Sequence, residues 1–108
     1  MDLFNTIQDL ITRLNTSVNM LKKYGNELAE AERDYKITLR QEALKLRTEK
    51  NMPVTLINQI IYGIPDVADK RFKRDVAEAM YQTALENINS LKLQIRIIEN
   101  QLQREYTN

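Results

Sequence analysis

Both prolines of this chain, Pro53 and Pro65, stand close together in its middle, leaving 52 residues before the first and 43 after the second without the strongest helix breaker. The flanks are rich in Leu, Ile, Ala, Glu, Lys, Arg and Gln, which give up little side-chain freedom on entering a helix. This predicts two long helices, over residues 2–49 and 66–106. Between them, Pro53 suits a first helical turn and Gly63 the position just past a helix end, so a short helix is expected over 54–62. That connector carries Val54, Leu56, Ile57, Ile60, Ile61 and Tyr62, too many apolar groups for one stripe, and should be covered on more than one side.

In the first helix the apolar or small residues Leu3, Ile7, Leu10, Leu14, Val18, Leu21, Gly25, Leu28, Ala31, Tyr35, Leu39, Ala43 and Leu46 recur at an average step near 3.6, the period of a straight helix with one buried stripe. Gly25, followed by Asn26, is the weak point, since Gly costs about 1 kcal/mol relative to Ala inside a helix. The last helix opens on Pro65 and Asp66, with Asp69 close by, acids placed favourably near the positive end of the helix dipole. Its expected stripe is Phe72, Val76, Met80, Ala84, Ile88, Leu91, Ile95, Ile98 and Leu102, with heptad steps from Ala84 onward. The fold class that follows is all-α: a single domain over 1–108, built as a long antiparallel helical hairpin with a short apolar connector helix. A break at Gly25 would turn it into a three-helix bundle. A lone two-helix hairpin buries little core for its length, so self-association into an oligomeric helical bundle is expected.

The residues that usually do chemistry are missing. There is no Cys, which excludes disulfides, thiolate zinc sites and cysteine nucleophiles, and no His, which removes the commonest general base and metal ligand. What remains is acid pairs on helices, Glu27 with Glu30, Glu30 with Asp34 and Asp75 with Glu78. Set opposite Glu78 or Glu86 across a hairpin, the first group could hold magnesium, as in helical nucleotide pyrophosphohydrolases. Acids at this spacing are ordinarily a solvated face paired with cations such as Arg33, Lys36 or Arg74. The expectation is therefore a protein that binds and is not an enzyme, with no catalytic residue, metal ligand or cofactor assigned. The amino-terminal stretch is acidic where a signal peptide is basic, and polar residues interrupt every apolar run, so a cytoplasmic chain with no membrane partner is expected.

Two surfaces stand out. Arg40, Lys45, Arg47 and Lys50 close the first helix, and Lys70, Arg71, Lys73 and Arg74 open the last. A hairpin gathers these at one end, a candidate nucleic-acid contact despite a net charge of only +1. A helix-turn-helix reading of the same region fails on Asn58 and Gln59, which stand where that motif buries small or apolar groups. The candidate protein interface comprises Ile57, Ile60, Ile61 and Tyr62 at the connector, with Leu85, Leu93 and Ile97, which widen the apolar face of the last helix. A homo-oligomer and a further protein partner are the expected associations.

AERDYK at 31–36, LRTEKNMPVTLI at 46–57, YG at 62–63 and VADKRFKRDVAEAMYQTALENINSLKLQIR at 67–96 together resemble a family of small uncharacterised helical proteins of bacteriophages and prophages of Gram-positive bacteria, over roughly residues 27–106. The family's pattern has Gly before the Pro53 segment, where this chain has Asn51-Met52. The resemblance carries no site residue with it. It implies a setting, the cytoplasm of an infected or lysogenic cell, and early functions in replication, recombination or control of the host.

Overall fold

The structure is a computed structural model that describes residues 2–107. Three α-helices follow in order, α1 (Leu3–Thr48), α2 (Val54–Ile60) and α3 (Pro65–Thr107), with a 3-10 turn Ile61–Gly63 after α2. No strand occurs among the described residues. The fold is all-α, and α1 and α3 form a helical hairpin. α1 runs without interruption through Gly25, so the three-helix alternative is not realised. Its start is fixed by Asp2, whose carboxylate accepts from the N–H groups of Phe4 at 3.0 Å and Asn5 at 3.4 Å, an N-cap that satisfies donors left unpaired by the helix.

The chain divides into two compact units, one made of the stretches up to Tyr24 and from Met80 onward, the other of Gly25–Ala79. In the first unit the buried and half-buried positions of α1 include Leu3, Ile7, Leu10, Leu14, Ser17, Leu21 and Tyr24. Those of α3 include Tyr81, Ala84, Ile88, Leu91, Ile95, Ile98 and Leu102. Both sets step alternately by three and four, the repeat of a coiled-coil seam. On α1 this corrects the straight-helix period expected from sequence: the seam passes through Ser17, and Val18 is 37% exposed. Asn87 donates to the Ser17 hydroxyl at 3.0 Å, so the polar seam position is partnered.

In the second unit a core of Tyr35, Ile57, Ile61 and Val67 is flanked by Leu39, Ala43, Leu46, Met52 and Ile64. The connector is covered on one side only, against the expectation of cover on more than one: Ile57 and Ile61, four residues apart, turn inward onto Tyr35, Leu39, Ala43 and Leu46, while Val54, Leu56, Ile60 and Tyr62 stay exposed on its outer side. On α3 the inward positions are Val67, Lys70, Arg74 and Ala77, while Phe72 and Val76, expected in the stripe, are 67% and 46% exposed. Met80, further along the same expected stripe, is 44% exposed. Within this unit the inward positions Val67, Lys70, Arg74 and Ala77 step by three, four and three, so Phe72 and Val76 stand off that face although they are the more apolar side chains.

The turn ahead of Pro53 is closed by Asn51 and Met52. Asn51 has φ 50°, the left-handed conformation at which Gly or Asn ends helices. Beyond it the Met52 N–H returns to the Leu46 carbonyl at 3.1 Å, and the Arg47 guanidinium donates to the Met52 carbonyl at 3.1 Å. Asn51 therefore does the work expected of Gly. α3 begins at Pro65, with Ile64 extended just before it, as a proline at the first helical position requires.

Candidate interaction surface

The eight candidate nucleic-acid residues all fall in the Gly25–Ala79 unit, but three of them pair with acids of the chain and a fourth is held in place by a backbone carbonyl. Lys45 pairs with Glu42 at 3.6 Å and Lys73 with Asp69 at 3.2 Å. Arg47 is held by the Met52 carbonyl. Arg74 turns inward: its side chain is 23% exposed, it meets Asp75 at 2.9 Å, and its guanidinium lies over the Tyr35 ring, 4.8 Å from the centroid. The hydrogen bond to Asp75 holds the Arg74 pKa above its ordinary value, burial opposes this, and the charges of Asp75, Tyr35 and Glu78 add to the rise. Arg71 stacks on Tyr62 at 5.1 Å from the ring centroid, and Arg40 and Lys50 are exposed. Arg74 alone of the eight is turned into the unit's interior with an acid and a ring as partners, whereas Lys45 and Lys73, each 60% exposed at the side chain, form ordinary surface pairs.

The acid pairs meet cations. Glu27, Glu30 and Asp34 line a shallow depression closed from α3 by Lys70 and Lys73, not by Glu78 or Glu86 as the metal-site reading required. Asp34 also lies 3.4 Å from Arg33. Among the described residues no three acidic side chains gather into a group able to hold a metal ion. Two lysines thus face the three carboxylates across the depression and lower the field that a divalent cation would meet there.

Of the candidate interface residues, Ile57 and Ile61 are 6% and 3% exposed and belong to the core, a correction that follows from their packing on Tyr35 and Val67. Leu85 is half-buried beside the α3 seam. Ile60, Tyr62, Leu93 and Ile97 are on the surface. Sequence reading missed Ile37, Leu44 and Val54, all about half exposed, along with Phe72 and Val76. The signal was present in the heptad steps of α3, which carried backward put Phe72 and Val76 outside the seam. For Ile37 and Leu44, seven residues apart, the clue was their place off the expected α1 stripe.

Among the described residues no helix is long and apolar enough to cross a membrane. Comparison with protein-family models, with curated proteins and with solved structures finds no match to this chain.

Proposed function

We propose that this chain is a non-catalytic helical interaction protein that self-associates and docks a protein partner. One observation carries the reading. Among the described residues sixteen large hydrophobic side chains are more than a third exposed, against eight apolar residues that are buried, an imbalance that association would relieve. On the resemblance to phage and prophage proteins, such a partner would belong to the infected or lysogenic cell. Pairing of Lys45, Lys73 and Arg74 with neighbouring acids weighs against the alternative of a nucleic-acid accessory protein, and the cations facing Glu27, Glu30 and Asp34 weigh against magnesium-dependent pyrophosphohydrolysis.

Sedimentation over a wide concentration range tests self-association directly. The expected result is a mass that is a multiple of the monomer and that falls on dilution, with Phe72→Ser plus Val76→Ser shifting the balance toward monomer without loss of helix. A folded monomer at every concentration would refute it. Affinity capture from infected cells, with and without nuclease, addresses the partner: capture that survives nuclease supports a protein, and capture abolished by it supports the nucleic-acid alternative.

A further inference from the structure

One surface of the Gly25–Ala79 unit combines an apolar floor with a rim of a single charge. Two adjoining depressions, of about 300 and 490 Å³, share Arg40 and Ala43 and lie along α1 beside the start of α2. The floor is Ala43, Leu44, Val54 and one edge of Ile57, and the groove continues to Ile37. Leu44 and Val54 are 55% and 56% exposed, so the floor is open to a partner. The rim is Lys36, Arg40 and Arg47, and no acidic residue lines either depression. Neither Lys36 nor Arg40 has an acidic partner at ion-pair distance among the described residues. The nearby Glu42 is turned away, its side chain only 17% exposed and engaged by Lys45.

We infer that this groove receives an amphipathic acidic helix of a partner protein, its aliphatic face on Ala43, Leu44 and Val54 and its carboxylates on Lys36, Arg40 and Arg47. This rests on the reading of the chain as a protein-docking module and specifies what docks and where. The dimensions agree. Lys36 to Arg47 is eleven residues of helix, about 16 Å, the length of three turns laid alongside. Charge selects between occupants: an apolar floor between like cations favours a ligand with apolar and anionic groups side by side, and cations in the same places would be repelled. A polynucleotide would meet the cations, but the floor offers it aliphatic groups where stacking needs aromatic ones.

The test uses the full chain with a labelled designed helix of about three turns, Leu along one face and Glu on both flanks, and a counterpart with Lys in place of Glu. Fluorescence anisotropy should show the Glu helix binding at least tenfold more tightly than the Lys helix. Leu44→Ser and Val54→Ser, both at exposed positions, should each weaken binding severalfold with helix content unchanged. Lys36→Glu with Arg40→Glu should reverse the preference in favour of the Lys helix. Equal binding of the two helices, binding indifferent to these substitutions, no binding at all, or displacement by a single-stranded oligonucleotide at comparable concentration would each overturn the assignment. Light scattering on the same samples keeps the two readings apart: oligomers that persist while the helices fail to bind discard the groove and leave self-association standing.

Discussion

The stacking of Arg74 on Tyr35 offers the sharpest check on how the Gly25–Ala79 unit is held together. Tyr35 is 7% exposed and the Arg74 side chain 23%, so the pair is largely out of water and belongs toward the upper part of the range for cation–π contacts, about 1–2 kcal/mol. The methylenes of Arg74 add apolar burial worth roughly another 1 kcal/mol. Arg74→Ala should therefore cost about 2–3 kcal/mol. Arg74→Met, which keeps the stem and removes the cation, should cost about 1–2 kcal/mol. Asp75 is 56% exposed at its side chain, and Asp75→Asn should cost only a few tenths, roughly 0.5 kcal/mol at most, because exposed ion pairs are screened. Urea unfolding of Arg74→Met, Tyr35→Leu and the double variant, at one fixed protein concentration because association shifts apparent stability, isolates the pair. A coupling near 1 kcal/mol is expected. A coupling indistinguishable from zero would show that the guanidinium merely lies near the ring, and that the stem alone accounts for the buried position. The sign with pH is also fixed. A pKa raised on folding gives stability that is complete below the ordinary arginine value and is lost only as pH rises through the higher folded value, so the contribution of Arg74 is flat across neutral pH.

Two further outcomes follow from local geometry. At Asn51, with φ 50°, Asn51→Gly should leave stability unchanged or slightly raised, while Asn51→Val should lower it by about 1–2 kcal/mol, read as a shift in thermal midpoint between the two variants. Val67 is fully buried, and Val67→Ala should cost about 1–3 kcal/mol in urea unfolding, whereas Val76→Ala, at a position 46% exposed, should stay within about 0.5 kcal/mol in a monomeric sample.

The helix boundaries were legible because their causes are local. Two prolines, an apolar connector and long breaker-free flanks are enough, and the observed ends at Leu3–Thr48 and Pro65–Thr107 differ from the expected ones by a residue. Gly25 misled in one sense only: a single Gly lowers helix stability by about 1 kcal/mol, which the packed residues around it offset. The inward face of α3 was harder to read. Phe72 and Val76 outweigh Lys70 and Arg74 on any hydrophobicity scale, yet Arg74 is the side chain that covers Tyr35. A long cationic side chain has an apolar stem and a flat charged head, and summing residue character along a stripe discards that distinction. The same blindness merged eight cations into one patch, since spacing along a helix does not reveal which of them neighbouring acids, a carbonyl and a ring take up.

The hydrogen bond between Asn87 and Ser17 bears on how faithfully the chain finds this pairing. Leu and Ile repeating every seven residues fit almost as well when one helix slides past the other by two turns, because each apolar knob then meets an equivalent hole. Displaced by a heptad, Asn87 would confront Leu10 or Tyr24 in place of the hydroxyl it now meets at 3.0 Å. Asn87 is exposed, so water would take over its amide there and the loss is the net worth of the hydrogen bond, about 0.5–1.5 kcal/mol. A single polar contact in an otherwise greasy ladder thus works as a vernier mark, tilting the balance severalfold toward one alignment of the two helices.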